Sequence, residues 1–130
     1  VNPVNIPNVK IAVIDYDLMV RDFVVTVLMY CVNRDVLSFD SGLAAWRYIE
    51  DYESPDIIIS EIDVPGLNGF ELMAKFKEKS PGKKCLLMSD NPANEQPARN
   101  SGADAFLAKP VSVNDLFDVV HTFVVKGRDL

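Results

Sequence analysis

What most constrains this chain is a fivefold alternation of short apolar runs with single longer stretches that have helical spacing or room for one helix. The apolar runs lie at residues 10–14, 35–39, 57–59, 84–88 and 104–108, and the stretches after them at 18–32, 42–51, 70–79, 97–101 and 113–125. Apolar runs this short read as buried strands. Strands separated by one helix each cannot pair as hairpins, so they pair in parallel through right-handed crossovers. The expectation is an α/β fold, a five-stranded parallel sheet with helices on both faces.

The helical stretches differ in how clearly they declare themselves. In 18–32, Val20, Val24, Val27, Leu28 and Cys31 share one stripe, and a second apolar line, Val25, Met29 and Val32, lies opposite. Ser41 suits the N-cap of the next helix, whose inward residues read as Leu43, Trp46 and Ile49. The third turns Phe70, Met73 and Phe76 inward and stops at Ser80-Pro81-Gly82. Pro97 tolerates only the first turn of a helix, so a short or irregular helix at 97–101 is expected. The last helix turns Leu116, Val120, Phe123 and Val124 inward. Residues 1–130 read as a single domain, with 1–9 an extended lead-in and the core at about 10–126.

Composition narrows the function. A net charge of -6 argues against a nucleic-acid surface. The longest apolar stretch, 24–32, is too short to span a bilayer, and the first residues lack the apolar region of a signal peptide. Cys31 and Cys85 have no metal-ligand spacing with His121 and read as buried thiols of a cytoplasmic protein. There is no Gly-rich phosphate loop.

The chemistry gathers around PDIIISEIDVPGLNG, residues 55–69, where a buried strand runs into two carboxylates, Glu61 and Asp63. In a parallel sheet, ligands collect beyond the carboxyl ends of the strands. Asp15, Glu61, Asp63, Ser89 and Lys109 all stand there, on one rim. Acids of this kind suit Mg²⁺, and a hydroxyl with an ammonium suits the oxygens of a phosphoryl group.

With IAVID at the first strand, PDIIISEIDVPGLNGFEL around the third, CLLMS at the fourth and GADAFLAKP at the fifth, the chain resembles a response-regulator receiver domain of two-component signalling, from about Lys10 to Val125. The resemblance implies a flavodoxin-like, CheY-like doubly wound sheet of order 2-1-3-4-5. It implies that a histidine kinase passes a phosphoryl group to an acid at the third strand's end, with Mg²⁺ held by that acid and an acidic pair after the first strand. Asp15 matches the first acid of that pair, Ser89 the phosphoryl-contacting hydroxyl, Lys109 the phosphoryl-contacting lysine and Phe106 the switch aromatic. Lys109-Pro110 matches a pair whose peptide bond is often cis.

Two positions depart from the pattern: Tyr16 replaces the second acid of the pair, and Glu61 replaces the phosphoacceptor aspartate. The extra methylene of glutamate shifts the carboxylate by roughly 1 Å, and misplacement on that scale costs ~10²-fold in rate. Tyr16 removes a metal ligand with its charge. Glu61 also gains the reach to pair with Lys109, an attraction of about 4 kcal/mol at about 4 Å before desolvation opposes it. The expectation is a pseudo-receiver: a non-enzymatic module of phosphorylation-independent protein–protein interaction, with a weak or lost Mg²⁺ site at Asp15, Glu61 and Asp63.

The alternative is an active phosphoacceptor domain using Glu61 or Asp63 with Mg²⁺, and a third reading is a flavodoxin-like small-ligand binder. Expected partners are a histidine kinase or other signalling protein, an attached output domain, or a second copy through the 25/29/32 line or the last helix. No direct contact with nucleic acid or membrane is expected.

Overall fold

A computed structural model of the protein describes residues 9–30 and 36–128, with side chains among them as far as Val125. The expected alternation is present as β1 (Ile11–Ile14), α1 (Leu18–Met29), β2 (Leu37–Phe39), α2 (Gly42–Asp51), β3 (Ile57–Glu61), α3 (Gly69–Lys79), β4 (Lys84–Ser89), α4 (Glu95–Asn100), β5 (Ala105–Ala108) and α5 (Val113–Arg128). A 3-10 turn, Pro92–Asn94, leads into α4. The strands form one parallel sheet in the order β2-β1-β3-β4-β5. That is the doubly wound order.

Side chains alternate across each strand, and this divides the core in two. Ile11, Val13, Ile57 and Ile59 face one side, against Val24 and Leu28 of α1 and Leu116 and Val120 of α5. Ala12, Ile14, Ile58 and Leu87 face the other, against Ala45 and Ile49 of α2, Leu72 and Phe76 of α3 and Ala98 of α4. β1, β3 and β4 are apolar on both faces because both are covered.

Caps set the helix starts. Asp17 Oδ1 accepts from Met19 and Val20 N–H, Ser41 Oγ accepts from Ala44 N–H, and Asn68 with Glu71 forms a capping box at α3. The α3 start is pressed against the end of β3. A Cβ on Gly69 would lie 2.8 Å from the Glu61 carbonyl oxygen and from Ile62 Cα, so only glycine fits without a shift.

Several expectations need correcting. Leu43 is exposed, and the buried face of α2 is Gly42, Ala45 and Ile49, with Trp46 half-buried. Phe70 packs half-buried against the core as expected, but Leu72, not foreseen, is the more deeply buried residue of α3. Val124, half-buried, packs against the core as expected. The expected second line on α1 is not continuous: Val25 packs against the core, Met29 is exposed, and Val32 lies outside the described residues, as does Cys31. α4 begins two residues before Pro97, which stands in its first turn. Described residues contain no helix long and apolar enough to cross a membrane.

Candidate functional site

The parallel pairing of the strands puts their carboxyl ends along one rim. Asp15 follows β1 directly and is 1% exposed. Its backbone is fixed from both sides, by its N–H donating to the Phe39 carbonyl at 3.1 Å and by Arg21 Nη1 donating to its carbonyl at 2.7 Å. Its carboxylate accepts Asp17 N–H on Oδ1 at 2.9 Å. Glu61 ends β3, and its Oε2 accepts Asp63 N–H at 3.0 Å.

Lys109, just after β5, joins the two acids. Its Nζ lies 2.8 Å from Asp15 Oδ2 and 2.8 Å from Glu61 Oε1, with 15% of its side chain exposed. The Lys109–Pro110 peptide bond is cis. Burial alone would lower the Lys109 pKa, but hydrogen bonds and attraction from Asp15 and Glu61 outweigh it and raise the pKa above its ordinary value. Each carboxylate spends one oxygen on this ammonium and the other on a backbone N–H. Every buried side-chain polar atom among the described residues has a partner.

The other rim residues stand apart from this cluster. Ser89 is fully buried, but its Oγ accepts from Asn91 N–H at 3.1 Å and Asn94 Nδ2 at 2.9 Å, turned toward the 3-10 turn. Its carbonyl accepts Lys109 N–H at 2.8 Å, which ties the ends of β4 and β5 by backbone alone. Asp63 is exposed, in the turn after β3, and Tyr16 is 69% exposed. Phe106 is buried in the layer under α2, α3 and α4. Among the described residues no group of three or more His, Cys, Asp or Glu side chains is placed to hold a metal ion.

The set Asp15, Glu61 and Asp63 expected for Mg²⁺ is therefore not assembled: two of its members meet around an ammonium and the third faces solvent. As arranged, these residues do not fit a divalent cation that needs several oxygens at about 2.1 Å.

Residues 11–121 match the family model of the response regulator receiver domain. This chain belongs to that family. The receiver is 30% identical over 113 residues to a two-component response regulator-like protein, PRR37, of Oryza sativa subsp. indica, covering 83% of this chain but 15% of that protein. It is 33% identical over 69 residues to the nitrate/nitrite response regulator protein NarL of Escherichia coli strain K12, covering 52% of this chain and 32% of NarL. It thus spans less than a third of the length of these relatives. Its fold is similar to that of a CheY-like response regulator receiver domain protein from Methanospirillum hungatei JF-1, with a TM-score of 0.83 and 24% identity over 93% of this chain and 97% of that one.

Beside the cluster the receiver carries an apolar groove of about 320 Å³, lined by Met19, Val20, Phe23, Lys109, Pro110 and Val111. Met19 is 82% exposed, and its chain neighbours Leu18 and Tyr16 are exposed as well. Sequence reasoning passed over Arg21, Asn91 and Asn94. Asn91-Pro92 carries a turn signal that could have drawn attention to that corner; Asn94 has none.

Proposed function

We propose that this receiver is a pseudo-receiver, a non-enzymatic module that works by protein–protein interaction without taking a phosphoryl group. The observation that carries the reading is the position of the Lys109 ammonium, bonded at once to Asp15 and Glu61. A phosphoryl oxygen entering the pocket would have to displace Glu61 from Lys109. A metal would have to displace the ammonium from both acids. Tyr16, turned to solvent, supplies no carboxylate for either loss. Residues 1–130 then act as one interaction domain of a cytoplasmic signalling protein, Mg²⁺ binding weakly or not at all.

The groove between α1 and the β5–α5 loop is the surface we assign to a signalling partner of the histidine-kinase side. Its lining is apolar, and the same rim exposes Asp17, Asp63 and Asp90. That combination suits an apolar helix face with basic flanks.

The other reading, an active phosphoacceptor using Glu61 or Asp63 with Mg²⁺, draws its support from Asp63, whose exposed side chain sits two residues from Glu61. Adding Mg²⁺ and then beryllofluoride, a phosphoryl mimic, separates the two while Trp46 fluorescence and the amide resonances of Glu61, Ser89 and Phe106 are followed. The pseudo-receiver predicts no saturable change. Mg²⁺-dependent shifts at those three amides would establish the active reading instead.

A further inference from the structure

The corner between β4 and α4 is built around one hydroxyl. Ser89 Oγ accepts two hydrogen bonds, from Asn91 N–H and from the Asn94 side-chain amide, which fills both of its acceptor positions. Asn91 closes the turn that follows: its Oδ1 accepts Ala93 N–H at 3.0 Å and its carbonyl accepts Asn94 N–H at 3.0 Å.

Asn94 stands at the N-cap of α4, where an Asn side chain ordinarily accepts from the helix's first free N–H groups. Here it makes no cap bond, and its amide is directed at Ser89. α4 is six residues long and contains Pro97, so it cannot hold itself together. Its exposed Glu95–Arg99 pair adds little. It is held by the buried Ala98, by backbone bonds at its C-terminal end such as Ala103 N–H to the Ala98 carbonyl at 3.0 Å, and at its N-terminal end by the Ser89–Asn94 bond.

The charge cluster contributes nothing to this corner through side chains. Among the described residues no hydrogen bond joins the side chains of Ser89, Asn91 or Asn94 to those of Asp15, Glu61 or Lys109; the link is the backbone bond from Lys109 N–H to the Ser89 carbonyl.

We propose that Asn94 is a positioning residue that latches Ser89 to the 3-10 turn, so that the β4–α4 corner keeps its shape whatever the charge state of Asp15, Glu61 and Lys109. Asn91, Pro92, Glu95 and Gln96 are exposed on that corner. The latch rests on the pseudo-receiver reading, in which no phosphoryl group draws the Ser89 hydroxyl away from Asn94.

Amide hydrogen exchange on the full chain, without metal or phosphoryl mimic, tests it. Exchange at residues 94–102 is taken as a ratio to exchange at the β1 and β3 amides, which report global opening. Asn94→Ala should raise that ratio about fivefold, the effect of one lost hydrogen bond. Asn94→Asp, of the same size but with no donor, should do the same. Adding Asn94→Ala to Ser89→Ala should have no further effect. Glu61→Gln and Lys109→Gln should leave the ratio unchanged. The latch is refuted if Asn94→Ala speeds the corner and the reference amides in step or leaves both unmoved. It is equally refuted if the Ser89 and Asn94 effects add, or if Lys109→Gln opens the corner as far as Asn94→Ala does.

Discussion

The two ends of the sheet use the same residue types for different ends. At the amino end, Lys83 pairs with Asp56 and Lys77 with Asp104, the first pair open to water with side chains 39% and 36% exposed and the second partly so. At the carboxyl end one lysine, Lys109, serves two carboxylates that are almost wholly buried. In these pairs water screens the charges, so either lysine can be lost cheaply. In the buried cluster each charge depends on the others, because water cannot replace a missing partner. The amino end is a brace; the carboxyl end is a site whose charges are already spent on one another.

Lys109→Met is the largest test of that contrast. It leaves Asp15 and Glu61 buried without their cation and should cost about 3–5 kcal/mol in urea unfolding; a cost below about 1 kcal/mol would erase the difference between the ends. Packing offers a parallel test. Gly69→Ala, at the carboxyl end, puts a methyl against the Glu61 backbone and should cost about 1–3 kcal/mol. Gly82→Ala, in the turn at the amino end, meets nothing within 4 Å and should stay within about 0.5 kcal/mol of the parent. Equal losses would mean the carboxyl end is not the tighter one. Lys83→Ala should cost no more than about 1 kcal/mol, and less at high salt.

The smallest effect appears in pH. The folded-state pKa of Lys109 is raised, so its contribution is complete below the unfolded value of about 10.4 and is lost as pH rises through the folded one. The stability gap between the parent and Lys109→Met should hold constant from about pH 7 to 9 and narrow only above about 10.4. A gap that closed near neutrality would show that the raised pKa is not the source.

The sheet was legible because alternation and strand-length apolar runs are dictated by parallel pairing, and α2 has the bounds read from its cap and periodicity. Which side chains of a helix turn inward was less legible. The reading favoured large residues, but α2 approaches the β3–α3 loop so closely that a Cβ on Gly42 would overlap the Leu67 carbonyl. The close face is therefore small, and Leu43 is left outside. At the rim, the expected approach of Glu61 to Lys109 is present, but the second limb to Asp15 was not foreseen. Asp63 joins the expected metal set because it stands two residues after the acceptor position, where its carboxylate could replace the acid lost at Tyr16. β3 ends at Glu61, so two residues later the chain is already in a turn and its side chain faces water. Ser89 was expected to face the same pocket. Its hydroxyl is held by Asn94, whose role no spacing rule announces.

The most direct test of the central claim, that the rim's acids are committed to Lys109 rather than to a metal, is urea unfolding as a function of Mg²⁺ at constant ionic strength. A metal bound only by the folded chain stabilises it by about 2.7 kcal/mol at 100 times its dissociation constant. The receiver should show the same unfolding midpoint from zero to about 20 mM Mg²⁺, while a Tyr16→Asp, Glu61→Asp double variant should gain a saturable increase. A saturable increase in the parent chain would contradict the account.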